Sequence, residues 1–277
     1  VYLMGDGIAK QMTYGTGNKF SPTAVAGSQM VSFLSQGAVK TVLMNGEDVH
    51  QVMPPPHAGH DDGKEEGAPE AGELRGPYLW AQYSPNGELL AAIQSLSSED
   101  NPHNLGIYSP GDQVLRVLLK GKSEIFDSGR EMSAHWEPKG KRLLCSFAEY
   151  HIPKDMKPKE LKDVEFLSGL KLWNFEGAKP DYKNIFVSVD YTLEPRNISW
   201  SPDGNLVAME IWYHKKGGDK VLKGIAVLDI SKDISFSIKT EKEALDFPTM
   251  LMADKTGSPQ RPVFSQDGSR LLYEMVK

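Results

Sequence analysis

Short alternating runs of apolar and polar residues recur along the chain, each introduced by an aromatic residue and a turn signal. They read "YSPNGELLAAI" from Tyr83, "WEPKGKRLLCSF" from Trp136, "WSPDGNLVAMEI" from Trp200 and "FSQDGSRLLYEM" from Phe264. Alternation with a period of two places one face of a strand against a core. In the turn, Pro fixes φ, Asp or Asn bonds to its own backbone, and Gly takes the positive φ that other residues avoid. Each run therefore predicts a β-hairpin. The turn glycines Gly87, Gly140, Gly204 and Gly268 lie 53, 64 and 64 residues apart, and self-similarity at such intervals sets the architecture of a chain. A weaker copy, "AVAGSQMVSFLS" from Ala24, has Gly27 and Ser28 where the others have Asp-Gly.

A second pair of apolar stretches follows each of the first four hairpins: Lys40 to Met53, Leu105 to Leu119, "LKLWNFEG" with "NIFVSV", and Gly224 to Ile238. Each repeat thus predicts four strands, A to D. The last repeat holds only A and B before Lys277, while Val1 to Gly15 has the form of a C and D pair. The expected fold is all-β: a five-bladed β-propeller of four-stranded antiparallel blades, in which the N-terminal strands complete the C-terminal blade. Closing the ring removes the free sheet edges. The alternative is part of a larger propeller. The expected organisation is a single domain, with blade 1 at 22–53, an insertion at 54–76, blade 2 at 77–119, blade 3 at 130–189 and blade 4 at 195–240. Blade 5 combines strands at 261–277 with those at 1–15.

The aromatic-Ser-Pro-Asp-Gly hairpin, followed by a strand such as "TVLMN", resembles the TolB-like, WD40-like repeat propellers. Related repeats occur in the propellers of prolyl-oligopeptidase-type peptidases and in oligogalacturonate lyases. The resemblance implies a periplasmic or extracellular setting, and a start without Met is compatible with a processed protein. It specifies the blade far better than the function, because one fold hosts many activities.

In such blades the A-to-B and C-to-D turns share one face, and the B-to-C and D-to-A loops share the other. The long segments Met53 to Gly76, Glu149 to Ser168 and Thr240 to Gln260 all fall on the second face, so function is expected there. Candidate ligand- or partner-binding residues at that mouth are Trp80, Arg130, Arg196 and Arg261 from the starts of A strands. Tyr150, His151, Tyr213 and His214 join them from the B-to-C ends. Converging arginines favour a carboxylate, which guanidinium binds through two parallel hydrogen bonds, unless each pairs with an acid on its own blade. A short surface helix is expected within Glu149 to Phe166 and another within Glu241 to Pro259.

The remaining chemistry is thin. The net charge of −6 argues against a nucleic-acid surface, and no apolar run approaches the roughly 18 residues of a membrane span. The single cysteine, Cys145 in "RLLCSF", reads as a buried hydrophobe. There is no G-x-S-x-G elbow, no H-E-x-x-H and no P-loop; "GKS" at Gly121 lacks the upstream glycine. Asn197-Ile198-Ser199 fits a glycosylation sequon. His57, His60 and Asp61 could ligate a divalent metal, in a spacing that matches no strong signature. The reading favoured is a non-enzymatic scaffold with no cofactor that binds a protein or peptide partner, alone or within a larger assembly. Its alternative is a metal-dependent lyase or hydrolase acting on an anionic saccharide.

Overall fold

Four sheets built on the repeated hairpins carry most of the chain. The computed structural model describes residues 2–5, 8–11, 13, 18–53, 77–96, 112–119, 122–130, 132–151, 165–177, 179–189, 191–215, 220–254 and 257–277. Among these, every regular element but one short helix is a strand. The chain divides into two units, Val1–Gly129 and Arg130–Lys277.

In the first unit, β1 (Tyr2–Gly5) and β2 (Ile8–Gln11) form an antiparallel pair. Next come β3 (Lys19–Val25), β4 (Met30–Ser35), β5 (Ala38–Leu43) and β6 (His50–Met53), hydrogen-bonded in sequence order as one sheet. A further sheet comprises β7 (Tyr78–Tyr83), β8 (Leu90–Ser95), β9 (Asp112–Leu119) and β10 (Lys122–Arg130). Leu34, Val39 and Met53 from one sheet and Tyr78, Ala81, Leu90 and Ala92 from the other make a single buried cluster.

The second unit begins with β11 (Ser133–Trp136), β12 (Arg142–His151), β13 (Glu165–Asn174) and β14 (Asp181–Val189) in one antiparallel sheet. A sheet of β15 (Tyr191–Trp200), β16 (Leu206–Lys215) and β17 (Val221–Asp229) follows. Then come β18 (Phe236–Ile238), helix α1 (Glu241–Asp246), β19 (Leu251–Met252) and the pair β20 (Ser258–Phe264) and β21 (Leu271–Val276). Leu144, Leu170, Phe186, Leu193, Met209 and Ile211 centre the core of this unit. Cys145 is fully buried beside them, as its apolar surroundings in sequence predict.

The hairpin turns show why their sequence repeats. Ser84, Ser201 and Ser265 each pair with the residue five positions on, and each hydroxyl bonds the carboxylate or amide two residues later, over 2.5 to 2.6 Å. The same hydroxyls accept the N–H of Leu89, Leu206 and Arg270. The hydroxyl of Ser265, with help from Ser269, holds the Asp267 carboxyl at about 2. Glu137 stands in place of the serine in the third copy and binds Arg142 at 2.6 Å. Arg142 in turn donates to the Gly204 carbonyl of the next hairpin at 2.7 Å. Within each unit successive turns nest: a Cβ on Gly87 would lie 2.3 Å from the Ala26 carbonyl oxygen, one on Gly204 3.0 Å from Glu137, and one on Gly268 3.3 Å from Pro202.

Two strand assignments differ from the sequence pattern. Asp112–Leu119 is the third strand of its sheet, not the fourth, because Val114, Leu115 and Val117 are buried against β8. The outer place goes to Lys122–Arg130, whose Lys122, Glu124 and Ile125 are exposed, so Lys122 and Ser123 of "GKS" open a strand and no helix. The second difference is β18. The segment expected as the outer strand of the β15–β17 sheet pairs in parallel with β14 instead, Phe186 opposite Phe236. Phe247 explains the exchange, since its ring packs at 5.3 Å on both Phe186 and Phe236. Leu251 and Met252 take the vacated edge on β17. Strands β12 and β13 also extend to His151 and back to Glu165, shortening the expected loop between them.

The helix expected after Glu241 is present. Thr240 caps it, its hydroxyl accepting from the Glu243 N–H while the Glu243 carboxylate accepts from the Thr240 N–H, and Lys223 closes the other end. The buried Lys223 ammonium donates to the carbonyls of Ala244 and Phe247 at 3.0 and 2.6 Å. Burial lowers its pKa to about 8, against an opposing pull from Asp246. Phe247 fills the core, whereas Met250 and Met252 are exposed. The other helix expectation lies mostly outside the described residues.

Candidate functional site

The end of the first unit from which the 54–76 segment departs carries an apolar groove. Strands β4 and β5 are joined by the two-residue turn Gln36-Gly37, with φ of 54° and 75°, the conformation that matches the twist of a tight hairpin. The Gly37 carbonyl accepts the Tyr78 N–H at 3.0 Å, tying the start of β7 to this turn, and the Pro77 carbonyl accepts the Ser95 N–H at 3.0 Å. Met53 ends β6 opposite Val39, and Pro77, which precedes β7, lies against Gly37 of this turn.

Phe20, Leu34, Pro77, Tyr78 and Leu79 line a groove of about 400 Å³ around it. Leu34 and Tyr78 are buried, while Phe20 is 57% and Leu79 48% exposed, which leaves apolar surface for an incoming group. Trp80, an expected binding residue, sits half-buried in β7 at the register break that follows Tyr78. Sequence reasoning missed Phe20 and Leu79; the only signal was an apolar residue on either side of a break in the strand's alternation.

The other expected binding residues belong elsewhere. Arg130 is the last residue of β10, an outer strand, and does not begin an A strand. Tyr150 and His151 end β12, opposite Phe166 and Glu165. Tyr213 and His214 end β16, opposite Leu193 and Thr192. The side chains of Arg130, Tyr150, His151 and His214 lie outside the described structure, as do His57, His60 and Asp61 altogether. The Tyr213 hydroxyl bonds Glu241 at 3.1 Å.

Arg196 and Arg261 are both occupied by acids. Arg196 binds Glu194 at 2.6 Å and lies over the Trp212 ring, and Lys220 takes the second Glu194 oxygen at 2.8 Å. Burial pushes the Glu194 carboxyl up, but hydrogen bonds and charge from Lys220 and Arg196 outweigh it and hold the group below its usual range. Arg261 pairs with Glu274 at 3.3 Å. Beneath them Glu210, 2% exposed, accepts from the Asn197 amide and the Arg261 N–H, each at 2.7 Å, and from the Trp212 indole at 2.8 Å. The amide nitrogen of the Asn197 sequon is thus bonded to Glu210, although Asn197 itself is exposed.

Among the described residues no group of three or more His, Cys, Asp or Glu could hold a metal ion, and no helix is long and apolar enough to cross a membrane. His135 on β11 is held neutral by burial, its pKa lowered to about 4. Above pH 6.5 it is neutral in both the folded and unfolded chain. As the pH falls from 6.5 towards 4, the unfolded chain takes up a proton that the folded one refuses, so stability falls over that range and levels off below it. His135→Gln is expected to flatten this part of a chemical-denaturation pH profile; an unchanged slope would assign the loss to other groups.

No family model matches the chain, and no curated protein sequence is significantly similar to it. Several solved structures are similar. An uncharacterized protein from Listeria monocytogenes is 11% identical over 81% of this chain and 54% of its own, with a TM-score of 0.41, so the chain spans about half of that protein. An oligogalacturonate lyase in complex with manganese is 11% identical over 96% of this chain and 76% of its own, at 0.47. The β-propeller domain of the trilobed protease from Pyrococcus furiosus is 8% identical over 94% and 79%, at 0.34.

Proposed function

We propose that the chain is a TolB-like β-propeller acting as a non-enzymatic scaffold, and that it binds a protein or peptide partner through the face bearing the long loops. The five-bladed, closed form of that fold belongs to the same proposal. It is supported by the nesting of hairpin turns within each unit, Gly87 on Ala26 in the first and Gly204 on Glu137 and Gly268 on Pro202 in the second, and by β21, an edge strand whose Leu272, Tyr273 and Met275 are exposed. The N-terminal pair β1–β2 is the segment that would cover such an edge. A periplasmic or extracellular location follows from the same reading.

The apolar groove at Phe20 and Leu79 is the observation that carries the binding function. A cleft with an apolar floor and half-exposed apolar walls suits one bulky side chain of an extended peptide. Random twelve-residue peptides displayed on phage, selected on the protein and counter-selected on Leu79→Asp, provide the test. Enriched sequences should share an aromatic or branched aliphatic anchor and bind Leu79→Asp at least roughly tenfold more weakly, the equivalent of losing a well-buried side chain. Peptides that bind the variant equally well, or no enrichment, would overturn the reading. The competing lyase or hydrolase reading requires a stoichiometric transition metal that disappears with His57→Ala/His60→Ala.

A further inference from the structure

A second groove, of about 500 Å³, opens in the other unit at the turn end of the β11–β14 sheet. It is independent of the peptide-anchor site. Leu172 and Ile230, both buried, contribute apolar surface, and charged residues surround them.

Most of those charges are already used. Arg142 is held by Glu137 and the Gly204 carbonyl, Glu176 by Lys141 at 3.1 Å, and Lys183 by the Lys232 carbonyl at 3.1 Å. Two lining charges of opposite sign, Lys139 and Asp181, are exposed and have no side-chain partner among the described residues. Lys139 lies in the β11–β12 turn and Asp181 begins β14, so they come from different elements of the groove's wall.

This pattern selects among ligand classes. An anion or a cation alone would satisfy one of the two free groups and face the other as a like charge. A pyranose would use an aromatic face, and the one aromatic in the lining, Tyr182, packs against Trp173 at 4.7 Å and lies under Lys171 at 5.6 Å but is 53% exposed, so neutral sugars enter the test as comparators. Its hydroxyl remains available as a hydrogen-bonding group. A ligand with an ammonium at one end, a carboxylate at the other and an apolar middle satisfies Asp181, Lys139 and the Leu172–Ile230 surface together.

We propose that this groove binds the zwitterionic backbone of a short peptide with free ends, its ammonium on Asp181 and its carboxylate on Lys139. A volume of about 500 Å³ suits a di- or tripeptide, within the range of ordinary small-molecule pockets. Calorimetric titration of the whole chain with Gly-Leu-Gly, N-acetyl-Gly-Leu-Gly and Gly-Leu-Gly-amide tests it, with maltose and cellobiose as neutral comparators. The free tripeptide should bind, and each blocked form should bind roughly tenfold more weakly, as loss of a charge-assisted hydrogen bond implies. Asp181→Asn should abolish the penalty for acetylation alone, and Lys139→Ala the penalty for amidation alone. Both residues are exposed, so neither change threatens the fold. Equal binding of free and blocked peptides, no binding at millimolar concentration, binding only of the sugars, or insensitivity to both substitutions would each overturn the assignment.

Discussion

Gly224→Ala is expected to destabilise the second unit by about 3 kcal/mol or more, through backbone strain together with overpacking. Gly224 lies in β17 with φ at 143°, where the ladder with β16 shifts register between Ile211 and Trp212. On its other side β19 runs so close that a Cβ would sit 1.9 Å from the Leu251 carbonyl oxygen and 2.9 Å from the Thr249 methyl. No side-chain rotation relieves a contact with backbone, so β19 must leave the sheet. The Met250 N–H bond to Ile225 at 2.7 Å and the Ala253 N–H bond to Lys223 at 3.1 Å would go with it. Equilibrium urea denaturation measures the effect. Gly27→Ala separates its two causes, because Gly27 has φ of 70° but nothing within 4 Å of a Cβ, and should cost only about 1 kcal/mol. A Gly224→Ala protein that unfolds within 1 kcal/mol of the parent would contradict this packing.

The hairpins were legible because their turns depend on residue type. Ser201, Asp203 and Gly204 each make a bond or adopt a dihedral that few other residues can, so their pattern survives in the letters. Much of the candidate site was not legible, for an equally physical reason. Ser21, Asn197 and Arg261 all take positive φ, between 47° and 52°, at register breaks in β3, β15 and β20. They share no chemistry; Glu210 holds Asn197 and Arg261 through tertiary bonds that the residue types alone do not announce. Reading β20 as a regular alternating strand therefore misassigns what surrounds Arg261. The parallel pairing of β18 was hidden for a related reason: its cause, Phe247, lies nine residues beyond Ile238 and acts through packing on Phe186. The arginine candidates were legible as positions; Glu194, which holds Arg196, stands two residues before it on β15, whereas the acid that holds Arg261, Glu274 on β21, could be seen only once β20 and β21 were in register.

Glu210→Ala is expected to cost about 3–5 kcal/mol, because a nearly inaccessible carboxylate satisfies three N–H donors at once. Two of those donors, the Asn197 amide and the Arg261 backbone, belong to the left-handed bulges of β15 and β20. Glu210 therefore fixes two strained conformations in neighbouring sheets, as well as the indole that Arg196 packs on. Its removal should free both bulges and loosen β20 against β15, where the Phe264 N–H also bonds the Ser199 hydroxyl at 3.3 Å. Glu210→Gln distinguishes lost bonds from lost volume. The amide keeps the size and one acceptor but turns an N–H towards the Trp212 N–H, so an intermediate loss of about 1–2 kcal/mol is expected. Adding Trp212→Phe removes the opposed donor, so the double variant should lose less than the sum of its parts, as a double-mutant cycle in urea can resolve. Additive losses, or a Glu210→Ala protein as stable as the parent, would mean that the bulges hold without the carboxylate.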